Sequence, residues 1–400
     1  MLKQSLSWLA AAAMATLATP GAQAFERTVT GFSSSGLRWQ AQSLLVGVTS
    51  TGTLASGGNT IYQPSYPTGG GVVALILTFP GGSFICSGTL MNDRQSVLTA
   101  AHCVTDAALG TPTRSTAWFY GGPDGDTLVP NNPGATPVAA AQYFIHPSYT
   151  GDVIDHNDVA VIRLAAPAPA FAPSFGLYTQ DLTGRDFNVW GYGARSSGGG
   201  NVGANLGTDR LRQGHNRYDF RLGDTAFGIG WSAELEEPFS QIAHSWLSDF
   251  DNGLAANDAA CKTVDVVFGL AANPKWCDLG RGAREVGVAG GDSGGPGFVD
   301  GLVASVTSYG LSYGEPAFGD VDAALNSSFG EFTGYVPVYL HADFINAALV
   351  PEPGTCLLMA LGLVAVGAGA RRGRRAGCRS SRDSSRDSSR NSSLNSSLMP

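Results

Sequence analysis

Ser96-Val97-Leu98-Thr99-Ala100-Ala101-His102-Cys103 begins as an apolar, β-branched run and ends by delivering a histidine beside a cysteine. Such a run reads as a short strand, closed by the small pair Ala100-Ala101. Two other segments are built on the same plan. In Asn157-Asp158-Val159-Ala160-Val161-Ile162-Arg163-Leu164 an aspartate opens an apolar strand, and in Gly290-Gly291-Asp292-Ser293-Gly294-Gly295-Pro296 a serine stands among glycines. Around them the chain reads as short strands, at 72–79, 84–91, 96–100, 117–120, 159–164, 187–190, 264–268 and 302–308. Turns such as Pro80-Gly81-Gly82, Pro123-Asp124-Gly125 and Asn132-Pro133-Gly134 separate several of these. Helical periodicity is confined to 341–349 and, more weakly, 248–261. The pattern predicts an all-β barrel or sandwich with a short C-terminal helix.

The three segments supply complementary chemistry. A serine hydroxyl is a poor nucleophile at neutral pH and needs a base within hydrogen-bond reach. Histidine takes and returns protons near pH 7. A carboxylate that accepts from its second ring nitrogen fixes the tautomer. The oxyanion of an acyl-transfer intermediate must meet backbone N–H groups, which glycines on both sides of Ser293 leave accessible. His102, Asp158 and Ser293 are therefore candidates for base, orienter and nucleophile, and Gly291 and Ser293 for the oxyanion amides. No cofactor or metal is called for. The group Asp249, Asp251, Asn252 and Asp258 reads as a helix-capping loop, with calcium held by oxygen ligands as the alternative. Asp155 and His156 read as surface loop residues, and His215, His244 and His341 as structural.

In the order His, Asp, Ser, these segments resemble the chymotrypsin/trypsin family of serine peptidases. The resemblance covers roughly residues 61–349. It implies two six-stranded Greek-key β-barrels with the active site in the cleft between them. It implies His102 as general base and acid, Asp158 as its orienter, Ser293 as nucleophile, and Asp292 as support for the oxyanion loop. Val189-Trp190-Gly191-Tyr192-Gly193 resembles the family strand that opens the second barrel. Thr307-Ser308-Tyr309-Gly310 resembles the edge that pairs with substrate backbone. The resemblance also implies disulfides Cys86–Cys103 and Cys261–Cys277, leaving Cys356 and Cys378 unpaired.

Departures from the family pattern carry information. Six residues before the serine, where trypsin-like members have aspartate at the base of the specificity pocket, this chain has Gly287, followed by Val288. Without a buried carboxylate an Arg or Lys at P1 gains no charge pair, so a neutral P1 side chain is expected. Asp158 and Ser293 are 135 residues apart, long for the family, so 193–260 is expected to hold an insertion. The stretch after Gly310 looks extended and able to overhang the pocket. The family's usual activation tetrapeptide is missing; Ile61 stands at a suitable distance from His102 to begin the mature domain.

The two ends read as addresses. Residues 1–24, with Lys3, an Ala/Leu-rich run and Ala22-Gln23-Ala24, form a signal peptide, and 25–60 a leader or pro-segment. After the 61–349 domain, residues 350–375 run from Pro351-Glu352-Pro353 through an apolar stretch to Arg371, Arg372, Arg374 and Arg375. That order resembles the PEP-CTERM sorting signal of Gram-negative bacteria, which implies an exosortase-like processing partner and membrane contact through this segment. The Ser/Arg repeats of 376–400 read as disordered. Export across the inner membrane permits disulfides, and the destination is the cell surface, the extracellular matrix or a membrane anchor.

Composition agrees. Of 400 residues 14% are charged and 54 are glycine, which excludes a coiled coil or a charged disordered chain. The C-terminal 30 residues hold eight of the 24 basic residues and two of the 32 acidic ones. With Lys3 and Glu352 set aside, 25–350 keeps 15 basic against 29 acidic residues, a net charge of −14. That argues against binding to a phosphate backbone, so no nucleic-acid partner is expected; the family resemblance implies a peptide or protein substrate. The competing reading is a catalytically silent binding or matrix module on the same fold; the presence of all three candidate catalytic residues disfavours it.

Overall fold

The computed structural model describes residues 28–349, except 34–35, 43–45, 54, 56, 123–128 and 130–131, together with the backbone of 23–24. The signal-peptide assignment, the Pro123-Asp124-Gly125 turn, the sorting segment and the 376–400 tail lie wholly or mainly outside the described residues. Among the described residues no helix is long and apolar enough to cross a membrane.

The described residues form these strands in chain order: β1 (Gln23–Ala24), β2 (Val29–Phe32), β3 (Arg38–Gln42), β4 (Val46–Gly47), β5 (Val72–Phe79), β6 (Gly82–Leu90), β7 (Ser96–Thr99), β8 (Arg114–Tyr120), β9 (Ala135–Ile145), β10 (Ala160–Leu164), β11 (Asp186–Gly191), β12 (Arg212–Arg217), β13 (Phe220–Arg221), β14 (Trp246–Asp249), β15 (Val286–Gly287), β16 (Pro296–Val299), β17 (Leu302–Ser312) and β18 (Phe332–Pro337). The first sheet runs β6-β5-β8-β9-β10-β7 and closes through β6–β7 into a six-stranded barrel, with β1 parallel on β6. Its strands are apolar on the inner face, and the barrel core gathers Val73, Leu75, Leu90, Leu98, Phe119 and Val161. The second sheet runs β12-β11-β16-β17-β18-β14-β13 and stays open as a half-barrel. Stacked and edge-on aromatics fill its inner face: Phe187 lies 4.0 Å from Tyr218, centroid to centroid, and Tyr335 meets both. The expected all-β architecture is thus present, its second half a half-barrel.

Two elements differ from the sequence reading. Val264-Asp265-Val266-Val267-Phe268 looks like a strand, yet Ala259–Phe268 is a helix, α4. Its capping outweighs β-branching: Asp258 accepts from the Cys261 amide, and Gly269 ends the helix in the left-handed region at φ 62°. The periodicity across 248–261 resolves into the end of β14, a loop, and the first turn of α4. The terminal helix forms as expected, as α5 (Ala342–Leu349), and Leu349 closes the compact unit.

The leader is part of the fold. β2 and β3 form an antiparallel pair added to β17, and β4 pairs with β15. Trp39 and Ala41 are buried in a core shared with Tyr309, Leu311 and Trp231, and Val46 in the core under β15. Residues 193–260 include the short helices α2 (Gly230–Leu235) and α3 (Phe239–Ile242).

Candidate active site

Strand β7 ends at Thr99 and passes into the single helical turn α1 (Ala101–Val104), which sets His102 at the mouth of the first barrel. The Cys86–Cys103 disulfide ties that turn to β6, with Cα atoms 6.2 Å apart. Asp158 precedes β10, which is antiparallel to β7. The two strands bring His102 and Asp158 together although 56 residues separate them. His102 Nδ1 lies 2.7 Å from Asp158 Oδ2, and the His102 backbone amide donates to Oδ1 at 2.8 Å. The Ser308 hydroxyl donates to Oδ2 at 2.6 Å. Asp158 is buried, so these three donors stand where water would otherwise solvate its charge. Ser308, expected at the substrate edge, thus also touches the candidate relay.

The serine loop joins β15 to β16 of the second sheet and touches β6 of the first. Ser293 is buried, and its carbonyl accepts from the Ser87 amide of β6 at 2.7 Å. Cys103 Sγ lies 3.6 Å from the Ser293 carbonyl oxygen and 3.8 Å from His102 Nε2, which brings the serine loop beside the histidine. Gly291 and Gly294 hold φ of 100° and 81°. A Cβ on Gly294 would stand 2.0 Å from Thr99 Oγ1 and 2.5 Å from the Ser87 carbonyl, so neither torsion nor space admits another residue. Ser87, unnoticed in the sequence, pins this loop: its hydroxyl donates to the Gly291 carbonyl at 2.8 Å and accepts from the Tyr192 amide at 2.9 Å. Its one sequence signal is its place beside Cys86.

Asp292 is fully buried. Its oxygens accept from the amides of Gly193 at 2.8 Å and Ala289 at 2.9 Å, and burial pushes its carboxyl well above the ordinary range. Gly191 and Gly193 both pack against it closely enough to exclude a Cβ. Ile61 sits in the 3-10 turn Thr60–Tyr62, with its amide bonded to Asn59 and its carbonyl to Gln213.

The candidate pocket residues lie on adjoining strands. Gly287 is in β15, and the Val288 amide bonds to Thr333 of β18, which pairs with Gly310 of β17. The atom nearest a Cβ on Gly287 would be Phe250 Cδ1, at 3.1 Å, and Phe250 packs on Phe329 with centroids 4.7 Å apart. Tyr309 is buried, its hydroxyl 2.7 Å from Ser245 Oγ. Glu285, near in sequence, is fully buried and turned to the amides of Asp251 and Arg281; burial, then the nearby Asp251, push it up to about 8.

Asp155 and His156 are buried, contrary to the surface reading. Asp155 accepts from the Thr150 amide and hydroxyl and from the Asn157 amide and side chain, and so holds the loop before Asp158. Thr150, Tyr149 and Gly151 line a cleft of about 200 Å³ against His102 and Thr105. Asp258 acts as the expected helix cap, while Asp249 and Asp251 are buried rather than solvated. The second disulfide, Cys261–Cys277, anchors α4; Cys356 and Cys378 lie outside the described residues.

Comparison with known proteins shows what the chain is similar to. Residues 57–218 match the trypsin family model, and 349–375 match the PEP-CTERM protein-sorting motif. Over those residues the chain is trypsin-like. "Trypsin, alkaline B" of Manduca sexta is 26% identical over 278 residues, 68% of this chain and 86% of that protein. "Trypsin, alkaline C" of the same organism is 33% identical over 154 residues, 36% of this chain and 53% of that protein. This trypsin-like serine endopeptidase departs from a bare catalytic domain at both ends, through the leader strands and the sorting motif. The family match ends at residue 218, before the serine loop.

Proposed function

We propose that this trypsin-like peptidase is exported and hydrolyses peptide bonds through Ser293, His102 and Asp158. The observation that carries the reading is the relay at Asp158. A buried carboxylate within 2.7 Å of His102 Nδ1 leaves Nε2 as the basic nitrogen facing the serine loop. In the proposed cycle His102 takes the Ser293 hydroxyl proton as Oγ attacks the scissile carbonyl. The oxyanion is met by the amides of Gly291 and Ser293. His102 then gives the proton to the departing amine, leaving an acyl-enzyme on Ser293. Water, deprotonated by the same histidine, releases the acid and restores the serine.

A neutral P1 side chain is supported by the apolar surroundings of Gly287. Phe250 and Phe329 back it, and Glu285 is directed at Asp251 and Arg281. The sorting motif supports export in a Gram-negative bacterium and processing by an exosortase-like enzyme at 350–375.

Labelling with a fluorophosphonate probe tests the mechanism. The purified protein is expected to label, and Ser293→Ala to abolish the signal. Labelling that survives in Ser293→Ala refutes the assignment. Profiling on a peptide library then tests P1: cleavage confined to Arg and Lys overturns the neutral-pocket reading.

A further inference from the structure

Strand β17 is the longest of the second sheet, and its partners change along it. Leu302 to Val306 pair with β16, whose first residue is three past Ser293. Thr307 exchanges hydrogen bonds with Gly294 and Gly295, and Ser308 reaches Asp158. From Gly310 outward the same edge is taken by the leader: Gly310, Leu311 and Ser312 pair antiparallel with Gln42, Ala41 and Gln40 of β3. An extended peptide binds such an edge by adding a strand. Thr307-Ser308-Tyr309-Gly310 resembles the family edge that pairs with substrate backbone, and on that reading the substrate residues that precede the scissile bond run along β17. At about 3.3 Å per residue, a strand that begins beside Ser308 reaches Gly310 with its third residue. That backbone position belongs to Gln42.

The leader pair is anchored where it lies. Trp39 and Ala41 are 3% and 0% exposed, packed with Tyr309 and Leu311. Ser33, beyond β2, hydrogen-bonds the buried Glu234 of α2. The pair starts at Val29, after the expected signal-peptide site and before Ile61, so the plug acts in the chain that keeps its leader.

We propose that the leader pair β2–β3 is a built-in plug of the substrate edge, which limits strand-like recognition to the two residues before the scissile bond. This rests on the active-site reading above. The intact enzyme then gains nothing from a third and fourth substrate residue, and its natural targets are selected by P1 and P2.

The test uses acetyl-dipeptide and acetyl-tetrapeptide amides that share the P1 and P2 residues preferred in profiling. They are compared on the full chain, on Ala41→Asp, which puts a charge into the β3 core, and on a deletion of 28–42. Fluorophosphonate labelling is measured on each. For the intact chain, kcat/KM of the two lengths is expected to agree within about threefold. In the variants the tetrapeptide should gain about tenfold or more, mainly in KM, the scale of two added backbone hydrogen bonds, with the dipeptide unchanged. A tenfold advantage of the tetrapeptide on the intact chain overturns the proposal. So does an unchanged ratio in a variant that labels normally. If neither variant labels, the intact-chain ratio decides alone. An intact chain that never labels contradicts the active-site reading instead, which keeps the two failures apart.

Discussion

Asp158 takes three hydrogen bonds, from the His102 amide, the His102 ring and the Ser308 hydroxyl, and each has a different consequence when removed. Asp158→Asn puts an amide where the carboxylate accepts, favours the wrong histidine tautomer and should lower kcat by about 10³–10⁴-fold with little change in KM. Ser308→Ala removes one charge-assisted bond from a carboxylate that keeps two donors. Such bonds contribute roughly 1.5–3 kcal/mol, so kcat should fall by about tenfold to a hundredfold while the labelled serine stays the same. Steady-state kinetics of the pair separates the roles: an Asp158→Asn enzyme within tenfold of the parent rejects the relay. Ser87 belongs to this scale too, although it never touches the proposed proton path. Its hydroxyl joins the Gly291 carbonyl to the Tyr192 amide across the two halves of the molecule, and no spacing rule singles out a serine beside a cysteine for that task.

At the scale of elements, the legible parts were those with strong local signals. β5, β7, β10 and β11 are runs of Val, Ile, Leu and Phe bounded by turn residues, and their limits lie within a residue or so of the sequence reading. β9 gives no strand signal because Ala135–Ile145 is Ala-rich with Pro137 inside it, and its residues are half-buried or exposed. Within α4, Val264–Phe268 reads as a strand from its β-branching, although the cap expected at Asp258 and the stop at Gly269 make it the last turns of a helix. The leader strands were missed for a different reason: β3 is held by long-range pairing with β17, and polar Arg38, Gln40 and Gln42 surround its two buried residues. The candidate site was legible because three short motifs carry it, whereas the plugged edge depends on contacts across 270 residues of chain. The staple on the histidine turn makes a prediction here. Cys86→Ala with Cys103→Ala opens a loop of 17 residues and should cost about 3 kcal/mol of stability. Denaturant unfolding with both cysteines replaced should show a lower midpoint at unchanged m-value; an unchanged midpoint means that the barrel core alone fixes α1.

Across the whole molecule, buried ionisable groups tie stability to pH in two opposed ways. Burial, then nearby carboxylates, hold Glu285 and Glu331 up at about 8 and Asp258 at about 7. Burial also lowers His156 and His341 to about 4, with His244 beside the first and His146 beside the second. A carboxyl whose folded pKa is raised binds its proton more tightly in the native state. Its stabilisation is complete below the unfolded value near 4.3 and is lost as pH rises through about 8. A histidine with a depressed folded pKa does the reverse: its contribution is complete above about 6.5 and is lost as pH falls through about 4. The two overlap between about 4.3 and 6.5, so only the carboxyls act between about 6.5 and 8, and there the thermal midpoint should fall as pH rises. Glu285→Gln isolates the cause, because a neutral amide fills the same space beside Asp251 without an ionisation to lose. Its midpoint should fall less steeply across that window and exceed the parent's at pH 9, even if it starts lower at pH 6. Parallel slopes for the two proteins would show that Glu285 ionises freely in the folded chain, and would move the pH dependence to Glu331 and Asp258.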